Sequence, residues 1–289
     1  MIKNQVGAVP DDNLGIAQEV IRRLREEAGF PERQKLFLED KYVLKQGIEI
    51  VSRPFAQLEK RLSKRFMKRI TVDPYPREFT EGFLRNAAGY NMRPVFLPGE
   101  DISADCRLKK WVKLGAEFYQ EVKNGDVRPF NTYYPTVLCR GWYLADFSLS
   151  VDYTDGTQVY PNDPWASAIT QLREEGKIGK YESTPKGSRF VITLEEWGKV
   201  LLIYMAAKLL VPPAKIRLER AIEFNAIGNL YDPNRGKFNS WEWFADAFRS
   251  SDRICGGCRD CGGLASISNL VSGSHMGNFA GRPLVSFVS

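Results

Sequence analysis

Three of the five cysteines lie in Cys255-Gly-Gly-Cys258-Arg-Asp-Cys261, and the one histidine of the chain, His275, follows in the same glycine- and serine-rich stretch. Thiolates two residues apart can chelate a single ion because the intervening pair lets the backbone fold around it, and glycine eases that turn. The three sulfurs therefore predict a metal nest. A fourth donor has to come from elsewhere. A ferredoxin-type run would place its next cysteine at position 265, where alanine stands. Cys139, Cys106 or His275 would then complete the shell, and the thirteen residues between Cys261 and His275 fall within zinc-type spacing. An iron–sulfur cluster and zinc are the two metal readings, with Cys255, Cys258, Cys261, His275 and Cys139 as ligands. A disulfide within the cluster and a set of free thiols are the alternatives.

Other chemistry finds little footing. One histidine in 289 residues leaves one candidate for any mechanism that needs a positioned imidazole. The chain contains no G-x-x-x-x-G-K-[ST], no G-x-G-x-x-G and no H-E-x-x-H, so phosphate-loop, dinucleotide and zincin readings lack their physical basis. Asp146 and Asp152 share one face of a predicted strand roughly 20 Å apart, too far for an acid–base pair, and read as solvated positions. Glu121-Val122-Lys123 after Asp105 has a nuclease-like form but falls on a predicted helix. Trp142, Trp165, Trp197, Trp241 and Trp243 read as core anchors rather than a platform for bases. The expectation is a protein that is not an enzyme.

Lys and Arg outnumber Asp and Glu by 41 to 35, a net charge of +6. That permits contact with nucleic acid or other anionic surfaces. The densest basic run is Lys60, Arg61, Lys64, Arg65, Lys68 and Arg69, in a segment whose Leu58, Leu62 and Phe66 recur every four residues on one helical face. It reads as a solvated face opposite a buried stripe, with phosphate contact as the alternative.

The elements that must position these residues suggest an α+β protein. Residues 1–126 read as mostly helical. Asp12 or Asn13 caps a helix carrying Ile16, Val20, Ile21 and Leu24, and another starts near Ser103 with Leu108, Trp111, Leu114 and Phe118 before Asn124-Gly125-Asp126 stops it. In residues 127–250 the period changes. Ala145, Phe147, Leu149, Val151 and Tyr153 alternate with polar residues, and Thr154-Asp155-Gly156-Thr157 supplies a tight turn for a hairpin returning through Val159. Asp163 and Pro164 open a helix with Trp165, Ile169 and Leu172 inside. Ile178 and Ile192 bound a second predicted hairpin turning at Pro185-Lys186-Gly187. Thr193 with Glu196 has capping-box form and launches a buried apolar helix. A further helix is expected from about Pro213 through Ile216 to Ala226, and a short one over Trp241, Trp243, Phe244 and Phe248. Residues 251–289 read as a glycine-, serine- and cysteine-rich extension without a core of its own. The order helix, strand, turn, strand, helix from Trp165 to Leu202 resembles the second half of a winged helix, which would offer Lys177, Lys180, Lys186 and Arg189 to phosphates.

The cysteine cluster followed by Val271-Ser272-Gly273-Ser274-His275-Met276-Gly277-Asn278-Phe279-Ala280-Gly281 resembles the end of the lambdoid phage tail-tip minor protein L family, with Gly277, Asn278, Phe279 and Gly281 as the matching residues. It covers about thirty of 289 residues, and the cysteine spacing differs. The resemblance implies an iron–sulfur cluster and a virion component of tail or connector type, a homo- or hetero-oligomer whose C-terminal residues contact other structural subunits. A winged-helix-like nucleic-acid-binding protein is the alternative. The most apolar stretch, near Val200, is interrupted by Lys208 and stopped by Pro212-Pro213, far short of the ~20 residues of a membrane span. No signal peptide is recognisable, and a virion or cytoplasmic location is expected.

Overall fold

The computed structural model describes residues 42–45, 49–52, 55–106, 113–129, 133–250 and 252–288. The helix expected after Asp12, and the part of the Ser103 helix that holds Leu108 and Trp111, lie outside them. The chain divides into two units, Met1–Val72 and Asp73–Ser289, rather than at 126/127 and 250/251.

In the first unit, β1 (Tyr42–Lys45) and β2 (Glu49–Ser52) form an antiparallel pair. Helix α1 (Ala56–Phe66) follows, with Leu62 and Phe66 buried as their four-residue spacing predicts. Past its left-handed cap at Met67 the chain turns back onto the helix. There Ile70 N donates to Ser63 Oγ (2.9 Å) and Val72 N to Glu59 Oε1 (2.9 Å).

The second unit has helices α2 (Glu81–Gly89), α3 (Ala116–Asn124), α4 (Ala166–Glu174), α5 (Leu194–Glu196), α6 (Leu202–Leu209) and α7 (Ala221–Leu230). Around them run two four-stranded sheets. One is antiparallel in the order β3-β4-β10-β5: β3 (Met92–Leu97), β4 (Gly141–Asp146), β10 (Pro283–Ser286) and β5 (Ile216–Leu218). The other has the order β8-β7-β6-β9: β6 (Trp241–Phe248), β7 (Asp252–Gly256), β8 (Ile267–Val271) and β9 (Phe279–Gly281), with β6 and β9 parallel. The class is α+β, and strands reach into the N-terminal half.

The cap signals at Thr193 and Gly125 hold, whereas α4 opens after Trp165 rather than at Asp163-Pro164, and Asp163 bonds Arg189. Thr193 Oγ1 accepts from Glu196 N (3.1 Å) while Glu196 returns to Thr193 N (2.8 Å), and the helix they open runs through a π turn (Trp197–Leu201) into α6. Gly125, at φ 82°, ends α3.

Several expectations are corrected. Asp155 and Gly156 adopt the positive φ values expected of them (49° and 82°), but the flanking residues 147–154 and 157–160 form no strands. The second hairpin, the would-be wing, is also absent. Fully buried Arg173 of α4 instead collects the loop's carbonyls, donating to Gly179, Pro185, Lys186, Ser188 and Phe190 at 2.6–3.1 Å. One guanidinium thus does what a strand ladder would have done. Ile216 falls in β5, not a helix, and the aromatic run from Trp241 to Phe248 is strand β6, as its β-favouring aromatics allow. The C-terminal residues are no appendage: they supply β7, β8, β9 and β10 and share the core, with Ile254, Ala280, Leu284 and Val285 fully buried.

The two sheets meet at one short crossing. Phe279 stacks on Trp241 (centroids 5.8 Å apart), Arg282 bridges, and β10 begins one residue later. Gly281 has no room for a side chain, since a Cβ there would lie 2.7 Å from the Trp197 ring. The glycine and phenylalanine matched to the phage family are therefore packing residues of this crossing.

Candidate functional site

Around the crossing lies a buried ionic network that the sequence reading did not anticipate. Arg189, fully buried, binds Asp163 through Nε (2.6 Å) and Nη2 (2.7 Å), and it bonds Asp146 through Nη1. Arg235 pairs with Glu219 and reaches Asp232 (3.4 Å), and it also donates to the Asp146 carbonyl (2.7 Å). Arg282 pairs with Glu242 (2.9 Å), which accepts from the Tyr160 hydroxyl (2.8 Å). Arg217 holds Glu223 through two contacts of 2.6 Å. Arg220 reaches Asp246 at 3.4 Å and caps the carbonyls of Tyr134, Pro135 and Val137.

Asp146, expected on a solvated strand face, and Arg189, expected to be open to phosphate, are both fully buried and bonded to each other. The polar face of residues 146–150 is the inner one, with Ser148 and Ser150 buried and Leu149 43% exposed. The counter-charges come from arginines distant in sequence, which a strand's own alternation cannot reveal.

Five guanidiniums thus face seven carboxyls. Burial raises Asp146, but Arg189 and Arg282 outweigh it and hold the group below its ordinary range; burial of Glu223 is likewise outweighed by Arg217. For Glu219 burial wins over Arg235 and pushes the carboxyl up to about 7, and for Asp246 it wins over Arg220. Glu219 Oε1 has no hydrogen-bond partner among the described residues.

A pH dependence follows. Above pH 4.5, the ordinary value of Glu219, an unfolded chain gives up a proton that the folded chain retains to about pH 7. Stability present below pH 4.5 is therefore lost as pH rises to about 7, by about 3 kcal/mol from this group. Denaturant unfolding between pH 5 and 8 should show this decline, and Glu219→Gln, which mimics the protonated acid, should flatten it. An unchanged slope in the variant would show that other groups carry it.

The cysteines occupy different surroundings. Cys255 is buried in β7 opposite Ser268, and burial pushes its thiol up to about 12. Cys258 is buried, its Sγ 3.5 Å from the Asn239 carbonyl, whereas Cys261 is exposed at the end of a 3₁₀ turn (Arg259–Cys261). Desolvation, then a hydrogen bond with the Cys258 thiol, raises Cys261. Cys139 is buried by Tyr143, whose hydroxyl donates to its carbonyl (3.1 Å). His275 is exposed, with Nδ1 3.2 Å from the Val191 carbonyl and hydrogen-bonded to the Tyr181 hydroxyl.

Among the described residues no three His, Cys, Asp or Glu side chains are gathered to hold a metal. As placed, Cys255 lies within β7, Cys261 is exposed at the end of the 3₁₀ turn and His275 bonds the Tyr181 hydroxyl, so the described donors are not gathered into a four-ligand shell for zinc or an iron–sulfur cluster.

The basic residues divide. Lys60, Arg61, Lys64, Arg65, Lys68 and Arg69 are all exposed. Lys186 is exposed but paired with Glu174 (2.9 Å). A cleft of about 430 Å³ opens beside the π turn, and its charged side chains are engaged: Lys199 with Glu195, Arg217 with Glu223.

No family model, curated protein or solved structure matches the chain. Among the described residues no helix is long and apolar enough to cross a membrane.

Proposed function

We propose that the chain is a non-enzymatic structural subunit of a large assembly, of phage tail or connector type, which joins a neighbour through the uncovered edge of β8. The observation that carries this reading is that edge. Among the described residues β8 pairs with β7 alone, and Ser268, Asn269 and Val271 are exposed, Val271 by 52%. An outer strand of five residues offers a row of backbone donors and acceptors to a strand from another chain. The resemblance of residues 255–281 to a tail-tip family supports the same reading.

Lysine on a sheet edge opposes such pairing. The Asn269→Lys/Val271→Lys variant should unfold within about 1 kcal/mol of the parent yet lose self-association or incorporation into particles, as read by light scattering and by sedimentation of purified particles. Unchanged assembly with an intact fold would refute this use of β8.

The exposed cations Lys60, Arg61, Lys64 and Arg65 of α1, with Lys68 and Arg69 just past its cap, favour a second reading, contact with nucleic-acid phosphates, in which the wing takes no part. Its sign would be duplex binding that weakens steeply with salt and a salt slope that shrinks in Lys64→Glu/Arg65→Glu.

A further inference from the structure

The geometry points to Cys258 and Cys261 as a dithiol that closes reversibly into a disulfide, leaving Cys255 outside the couple. The two lie three residues apart across the 3₁₀ turn Arg259–Cys261, where Cys261 N donates to the Cys258 carbonyl at 3.1 Å. That hydrogen bond closes a tight turn with the two cysteines at its ends, and the Cys261 thiol is hydrogen-bonded to the Cys258 thiol. The turn is fixed from both sides: Gly263 N also bonds the Cys258 carbonyl (2.8 Å), and Arg259 N bonds the Phe238 carbonyl (2.7 Å). One sulfur is exposed to an incoming reagent and the other is buried beside it, the order in which exchange proceeds. Cys255, deep in β7, has no such access.

The reaction is a thiol–disulfide exchange with a small disulfide of the glutathione class. The Cys261 thiolate, having lost its proton to solvent, attacks one sulfur of the reagent and expels the first thiolate. Cys258 then loses its proton and attacks the Cys261 sulfur of the mixed disulfide, expelling the second. The protein loses two hydrogens and two electrons, and the reagent becomes two thiols. Desolvation, the Cys258 thiol and the adjoining Asp260 each disfavour the Cys261 thiolate. Exchange is therefore slow below pH 8, and the couple lies toward the stable disulfide rather than toward a catalytic oxidant.

Closure tightens a loop that braces its neighbours. Leu264 packs where Gly228 of α7 and Gly236 leave no room for a side chain, Asn225 donates to its carbonyl (2.9 Å), and Gly115 N donates to Ala265 O (2.8 Å).

The test treats the full reduced chain with oxidised glutathione at pH 8.5, alkylates the remaining thiols and digests with trypsin, which cuts between the two cysteines at Arg259. Expected are peptide 254–259 and the peptide that begins at Asp260 and runs on through the uncut Arg282–Pro283 bond held together, Cys255 alkylated, and a thermal midpoint roughly 5 °C higher that reverts on reduction. The linkage should survive in Cys255→Ser and vanish in Cys258→Ser. Peptides that separate in the parent, a linkage lost in Cys255→Ser, or reduced protein that keeps zinc through gel filtration with all three thiols protected would each overturn the proposal.

Discussion

Ending the chain at Gly281 is expected to abolish the cooperative unfolding transition of the second unit. The residues removed include β10, an inner strand. Leu284 and Val285 are fully buried, paired with Ala145 and Leu144 of β4 on one side and with Arg217 and Ile216 of β5 on the other. Each buried side chain of this size contributes about 1.5–3 kcal/mol, and its loss leaves a cavity that adds to the deficit. Phe287, whose ring lies 4.7 Å from Phe79 and 5.8 Å from Phe83, goes as well. The ladder groups of β4 and β5 that face β10 lose their partners within the protein. Together these losses reach the ~5–15 kcal/mol by which domains are stable. Near-ultraviolet circular dichroism and a thermal scan would show it; a sharp transition within a few degrees of the parent would contradict the assigned strand order. A longer deletion, of residues 251–289, removes β7, β8 and β9 too and should unfold the unit likewise.

The second large effect is expected at Arg189. Replacing it by Met keeps much of the volume but leaves Asp146 and Asp163 buried without their shared partner. Breaking a buried pair on one side costs about 3–5 kcal/mol, because the desolvated charge remains. Lysine should restore only part of this, since a single ammonium cannot hold two oxygens of Asp163 while also meeting Asp146. Adding Asp146→Asn and Asp163→Asn to Arg189→Met should recover part of the stability, an interaction visible as non-additivity in urea midpoints. A single Met variant that loses less than about 1 kcal/mol would show that the network matters little to folding.

What could be read from the sequence was what neighbouring residues decide. The Thr193–Glu196 box, the Asp155–Gly156 turn and the Leu62–Phe66 stripe each depend on a few adjacent positions, and each is present. What failed depends on partners remote in the chain. Asp146 meets Arg189, Arg235 and Arg282, separations that no local window spans. The wing failed for the same reason: Arg173 satisfies loop carbonyls up to seventeen residues ahead, so Ile178 and Phe190 need no strand pairing. Of the proposed site, the Cys258–Cys261 spacing was legible, whereas the burial of Cys255 arises from the β7–β8 pairing in the same sheet.

The place of β10 between β4 and β5 bears on how the chain leaves the ribosome. Strands β3, β4 and β5 emerge first, and β4 and β5 cannot be bridged until Pro283 and the residues after it clear the exit tunnel. Between the emergence of β5 and that of β10 the nascent chain carries two open strand edges flanking a missing centre, a state that favours pairing with other chains. A ribosome stalled before that point should hold a chain still able to capture foreign strands, and passage of β10 acts as the latch that closes this sheet.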